Sequence, residues 1–172
     1  TKNLVLTGMM GVGKTTIGKN LSKRLSYNFV DIDKLIEDKE GCSINIIFKN
    51  KNENYFRRIE KSLSLEELKK SKSIISLGGG AFLNNSIRRA VKESAVSFWL
   101  DVNINELIKR LVKTKKRPLL FKKNLNDTIN KIYLERKKTY NEADFRIRCN
   151  FLKQDAIVDK IIKLYEKSRN KI

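Results

Sequence analysis

There is no histidine among the 172 residues, so imidazole acid–base catalysis and histidine metal ligation are excluded. Only two cysteines occur, Cys42 and Cys149. They are too few for a disulfide scaffold and lack metal-site spacing. Proline appears once, at Pro118, and neither a low-complexity linker nor an internal repeat is visible. Long hydrophobic runs are missing too. The longest, Ala95 to Leu100, is strand-sized and contains Ser97, far short of the ~20 apolar residues of a membrane-spanning helix. The first residues carry no signal-peptide pattern, so a cytoplasmic, reducing setting is the expectation. Acidic residues are scarce, 19 against 38 Lys plus Arg, which leaves a formal net charge of +19.

Such a charge raises the question of nucleic acid. The basic residues are spread along the whole chain, however, and lysine far outnumbers arginine. That pattern reads as compositional background, in which an arginine carries more information than a lysine. Its planar fork grips a carboxylate or phosphate at two points. The length suits one domain able to bury roughly 70% of the surface its unfolded chain exposes.

Apolar patterning predicts strands at Asn3–Thr7, Asn28–Asp33, Ser73–Leu77, Ala95–Leu100 and Asp144–Cys149. Helical stretches are expected at Lys14–Leu25, about Lys34–Glu40, Ser43–Asn50, a helix capped by Asn52, a short one capped by Asn84, one from Asn103 to about Val112, Asn126–Tyr140 and Asp155–Ser168. Alternating strands and helices imply an α/β fold with a mostly parallel sheet covered on both faces. Lys113 to Asn124 holds five lysines, Arg117 and Pro118, and reads as a loop.

Gly8 to Thr15, GMMGVGKT, fits G-x-x-x-x-G-K-[ST] directly after a strand and opening a helix. Glycines let the backbone curl into a nest of N–H groups around phosphate oxygens, and the helix N-terminus adds partial positive charge. Gly11, Val12, Gly13, Lys14, Thr15 and Thr16 are the candidate nucleotide contacts, with Lys14 reaching the β- and γ-phosphates and the Thr15 hydroxyl on Mg²⁺. The chain therefore binds a nucleoside triphosphate. No guanine-reading N/T-K-x-D is present, and the third strand ends in glycines rather than the Asp-Glu of a motor protein.

Other residues narrow the chemistry. Asp31 and Asp33 would share one face at the carboxyl end of the second strand, beside the P-loop. One acid would help hold Mg²⁺ through water and the other orient a substrate hydroxyl. Arg57 and Glu60 lie at i, i+3 on a helix, so Glu60 can aim the guanidinium at an anion. Gly78-Gly79-Gly80 allows a ligand close to backbone N–H groups. Arg117 sits in a cationic loop suited to closing over phosphates.

Together these pieces resemble shikimate kinase over nearly the whole chain. The residues carrying the resemblance are the P-loop, the D-x-D of Asp31 and Asp33, F-R-x-x-E at Phe56, Arg57 and Glu60, S-L-G-G-G at Ser76–Gly80, R-P-L-L at Arg117–Leu120 and R-x-x-x-Y at Arg136–Tyr140. The resemblance implies a three-layer P-loop kinase with a five-stranded parallel sheet, a substrate-binding segment near residues 33–62 and a lid near 112–124. It implies transfer of the ATP γ-phosphoryl to the 3-hydroxyl of shikimate, with ATP and Mg²⁺ as cofactors. Arg57 and Arg136 would grip the shikimate carboxylate, helped by Gly79 or Gly80 N–H groups. Asp33 would orient or deprotonate the nucleophile, and Asp31 would stand in the outer Mg²⁺ sphere. Lys14 and Arg117 would stabilise the transferring group, and Arg110 would border the nucleotide. The implied protein is a monomer that binds neither a specific nucleic acid nor a membrane. The lid is unusually lysine-rich, Val12 replaces a small residue, and Asn150 to Asp155 lacks the Arg and Pro that often frame adenine in this family. Two alternatives remain open at this level: another small-molecule kinase such as gluconate kinase, and an ATP-responsive nucleic-acid-binding module.

Overall fold

Five strands form one parallel sheet in the order β2-β3-β1-β4-β5. They are β1 Asn3–Thr7, β2 Asn28–Asp31, β3 Ser73–Ser76, β4 Ala95–Asp101 and β5 Phe145–Arg148. The structure, a computed structural model, describes residues 2–113 and 124–169. Between and after the strands come α1 Lys14–Leu25, α2 Ile32–Glu40, α3 Ile44–Lys51, α4 Glu53–Leu68, α5 Asn85–Ser94, α6 Ile104–Lys113, α7 Leu125–Tyr140 and α8 Gln154–Arg169, with a 3-10 turn at Ala81–Leu83. No described helix is long and apolar enough to cross a membrane.

The pattern of burial explains the order. β1, β3 and β4 are buried along their whole length and occupy the centre. Covered on both faces, such strands read as continuous apolar runs. β5 lies at an edge and alternates: Ile147 faces the core while Arg146 and Arg148 face outward. Helix α1 buries Ile17 and Leu21, with Gly18 between them. A β-carbon on Gly18 would lie 2.2 Å from the Phe29 ring, so glycine here lets α1 approach β2. The caps work as the spacing suggests. Asn52 accepts from Tyr55 N, and Asn84 accepts from Ser86 N and Ile87 N.

The second strand is shorter than its alternation predicts. β2 ends at Asp31, and Ile32 and Asp33 belong to α2. The cause is Asp31 itself, whose carboxylate accepts from Asp33 N and Lys34 N and caps the helix. Asp31 and Asp33 are therefore not neighbours on one strand face. The 3-10 turn after the glycine run also goes beyond what the sequence suggested. Other element ends shift by a residue or two, the usual scale of fraying.

Candidate active site

The loop from Gly8 to Gly13 turns through three glycines with positive φ. Gly8 has φ 138° and Gly13 φ 101°, both in the region L side chains avoid. At Gly8 a β-carbon would also sit 2.5 Å from the Leu100 carbonyl oxygen. Gly13 occupies the N-cap position of α1, which has no side-chain cap and no acidic residue in its first turn. The first-turn N–H groups of a helix point out of its end, and the helix dipole favours an anion there. The Lys14 ammonium folds back over the loop, donating to the Gly8 and Met9 carbonyls at 2.9 and 3.0 Å. Thr16 is exposed in the first turn, and the Val12 side chain is buried. Helix α6 leans on the loop: a β-carbon on Gly11 would reach Leu111 at 3.0 Å, and Arg110 donates to the Val12 carbonyl at 3.5 Å while pairing with Glu106.

Asp31 joins the loop to the second strand. The Thr15 hydroxyl donates to one of its oxygens at 2.5 Å, while the other caps α2. Asp33, in the first turn of that helix, lines the same cavity. That cavity of ≈ 210 Å³ is walled by Gly11, Gly13, Lys14, Thr15, Asp31, Asp33 and Gly79, with Met10, Ser76 and Leu77 completing it. The two aspartates line one cavity, brought there by a helix cap and the first turn of α2 and not by the shared strand face that alternation predicts.

The glycine run forms the far wall and gathers side chains from three helices. A β-carbon on Gly78 would stand 2.6 Å from Asp33 Oδ1 and 2.7 Å from Glu60 Oε1. One on Gly80 would stand 2.6 Å from Arg57 Nη1, and one on Gly79 3.2 Å from Arg136 Nη1. Arg57 is held by Glu60 at 2.8 Å and by Glu53 at 3.2 Å. Burial works against its charge, but these two carboxylates outweigh burial and hold it protonated. The Glu60 side chain is only 3% exposed, and its Oε1 has no hydrogen-bond partner among the described residues. Burial raises its carboxyl above the ordinary value, with Arg57 opposing and Asp33 adding to the rise. Tyr140 donates its hydroxyl to the Gly79 carbonyl from α7, one turn beyond Arg136.

Of the residues singled out in the sequence, Gly11, Gly13, Lys14, Thr15, Asp31, Asp33, Arg57, Gly79, Gly80 and Arg136 converge on this region. Arg110 borders the P-loop from α6. Arg117 and residues 114–123 of the expected lid lie outside the described residues. The approach of Asp33 to Glu60 had no local signal, because the two sit on different helices. A larger open cavity of ≈ 550 Å³ lies at the β5 edge, but no P-loop residue lines it, and Arg146 there already pairs with Asp101 at 2.6 Å.

A family model described as shikimate kinase matches residues 10–166. A shikimate kinase of Sulfurihydrogenibium sp. is 39% identical over 161 residues, covering 94% of this chain and 96% of the relative. One of Thermodesulfovibrio yellowstonii is 37% identical, covering 98% of each chain. Among solved structures, a shikimate kinase from Acinetobacter baumannii in complex with shikimate superposes with a TM-score of 0.92 at 30% identity, covering 97% of this chain and 94% of that one. A gluconokinase from Sinorhizobium meliloti has a TM-score of 0.62 at 14% identity, a likeness of fold alone.

Proposed function

The chain belongs to the shikimate kinase family, and we propose that the cavity between its P-loop and its glycine run is where ATP meets shikimate. The enzyme is an ATP-dependent kinase that phosphorylates the 3-hydroxyl of shikimate, giving shikimate 3-phosphate and ADP on the route to chorismate and the aromatic amino acids. The observation that carries the site is the gathering of Arg57, Arg136 and Asp33 around Gly78–Gly80, next to the P-loop. Shikimate is a small ring with one carboxylate and several hydroxyls. Two guanidiniums suit the carboxylate, and Asp33 suits a hydroxyl. Helices α2 to α4 form the substrate-binding segment.

Phosphoryl transfer needs positioning and charge stabilisation more than covalent help, so the missing histidine is no handicap. The P-loop N–H groups and Lys14 hold the phosphates, and Lys14 and Arg117 offset charge on the transferring group. Asp33 orients the attacking hydroxyl and stands ready to take its proton. Thr15 and Asp31 offer a hydroxyl and a carboxylate oxygen within 2.5 Å of each other, a hard-oxygen pair that fits Mg²⁺ retaining most of its water. Bound there, Mg²⁺ would neutralise phosphate charge. In this reading the working unit is a monomer. A coupled ADP-release assay should show turnover with shikimate and none with gluconate. Arg57→Ala should raise the KM for shikimate by roughly 10- to 100-fold, the scale of a lost charged hydrogen-bond pair, with ATP binding intact. Loss of ATP binding instead would overturn the role given to Arg57.

A further inference from the structure

Three glycines in a row have no side chains to fix their peptide planes. In the run Gly78–Gly80 the backbone fixes two of the three carbonyls: Ala81 N donates to Gly78 O and Leu83 N to Gly80 O, each at 3.1 Å. The Gly79 carbonyl is held differently, by the Tyr140 hydroxyl. Tyr140 is fully buried, its ring is tilted against Trp99 at 5.8 Å, and its oxygen lies 3.9 Å from Met9 Sδ in the P-loop. Burial raises its phenol above the usual range, with Arg136 opposing, so it stays a donor. The Gly79–Gly80 peptide is trans, as all are among the described residues. In a trans peptide the C=O and N–H point in opposite directions. Pinning the carbonyl toward the core therefore turns the Gly80 N–H away from it. Among the described residues neither the Gly79 nor the Gly80 N–H has a protein acceptor.

We propose that Tyr140 is a positioning residue for substrate: by holding the Gly79 carbonyl it presents the Gly80 N–H as a third donor, beside Arg57 and Arg136, to the substrate carboxylate. This rests on reading the glycine run as the carboxylate end of the shikimate site. One helix thus delivers both a guanidinium and the hydroxyl that sets the neighbouring peptide plane. Tyr140→Phe removes the hydroxyl and keeps the ring against Trp99. Its KM for shikimate should rise roughly 3- to 10-fold, the scale of one neutral hydrogen bond, with the KM for ATP unchanged. The inhibition constant of a shikimate analogue bearing a hydroxymethyl group in place of the carboxylate should not move. In the unmutated enzyme labelled with ¹⁵N-glycine, the Gly80 amide proton should shift downfield on adding shikimate and stay in place with the analogue. An equal loss for both ligands, a fall in kcat at constant KM, or an unmoved Gly80 amide with shikimate overturns the proposal. Arg57→Ala run in parallel separates the two readings. If it raises the shikimate KM while Tyr140→Phe does not, only the role of Tyr140 falls. If neither variant moves it, the carboxylate reading falls as well.

Discussion

Glu60 is a carboxylate that the fold hides while keeping it next to a second acid. Its one partnered oxygen holds Arg57, and the other lies in the small space that Gly78 leaves beside Asp33. Because burial raises its pKa, the native chain retains a proton above the ordinary glutamate value of 4.5 that the unfolded chain has lost. The sign follows by linkage: this group favours the native state most below pH 4.5, and its contribution shrinks as pH rises through the raised native value. Thermal unfolding of the unmutated protein and Glu60→Gln across that range should show it. The stability difference should favour the unmutated protein most at the acid end and narrow upward. A difference that widens with rising pH would contradict the assignment. The i, i+3 pairing with Arg57 is readable in the sequence, because helix geometry sets it. The proximity to Asp33 is not, because it depends on how α2 and α4 pack.

Helix α1 shows how an element ties the site to the sheet. Its N-terminus carries the P-loop and its inner face packs on β2 through Gly18. Gly18→Ala would drive a methyl group into the edge of the Phe29 ring, an overpacking that costs about 1–3 kcal/mol. For a domain of this size, calorimetry should find the Tm lower by about 3–10 °C. An unchanged Tm would mean that α1 and β2 have slack that this packing denies. The caps at Asn52 and Asn84 were legible because a cap is a local bargain between one side chain and the next turn. The end of β2 departs from the alternation for a related reason. Asp-Ile-Asp satisfies strand alternation and a helix cap equally well, and the cap won once Asp31 also received the Thr15 hydroxyl.

Over the whole molecule the charge of +19 is expected to act on substrate encounter. Both substrates are anions, and an excess of positive charge raises their encounter rate through long-range attraction. Raising ionic strength from about 0.05 to 0.5 M should lower kcat/KM a few-fold with kcat nearly constant, since screening shortens that reach. A salt-independent kcat/KM would show that the excess charge is only background. The aromatics Phe56, Phe98 and Trp99, which sit at apolar positions in the sequence, are packed in the core. By itself the sequence determined what local rules can carry: the strand–loop–helix that makes a P-loop, a parallel α/β sheet from alternating elements, and the residue types that suit one carboxylate and one hydroxyl. Only the tertiary structure decided that Asp33, Glu60, Arg57 and Arg136 share the space left by three glycines, and that Tyr140 fixes one of those peptides. These residues come from three helices far apart along the chain, and their meeting depends on helix packing, which no local pattern encodes.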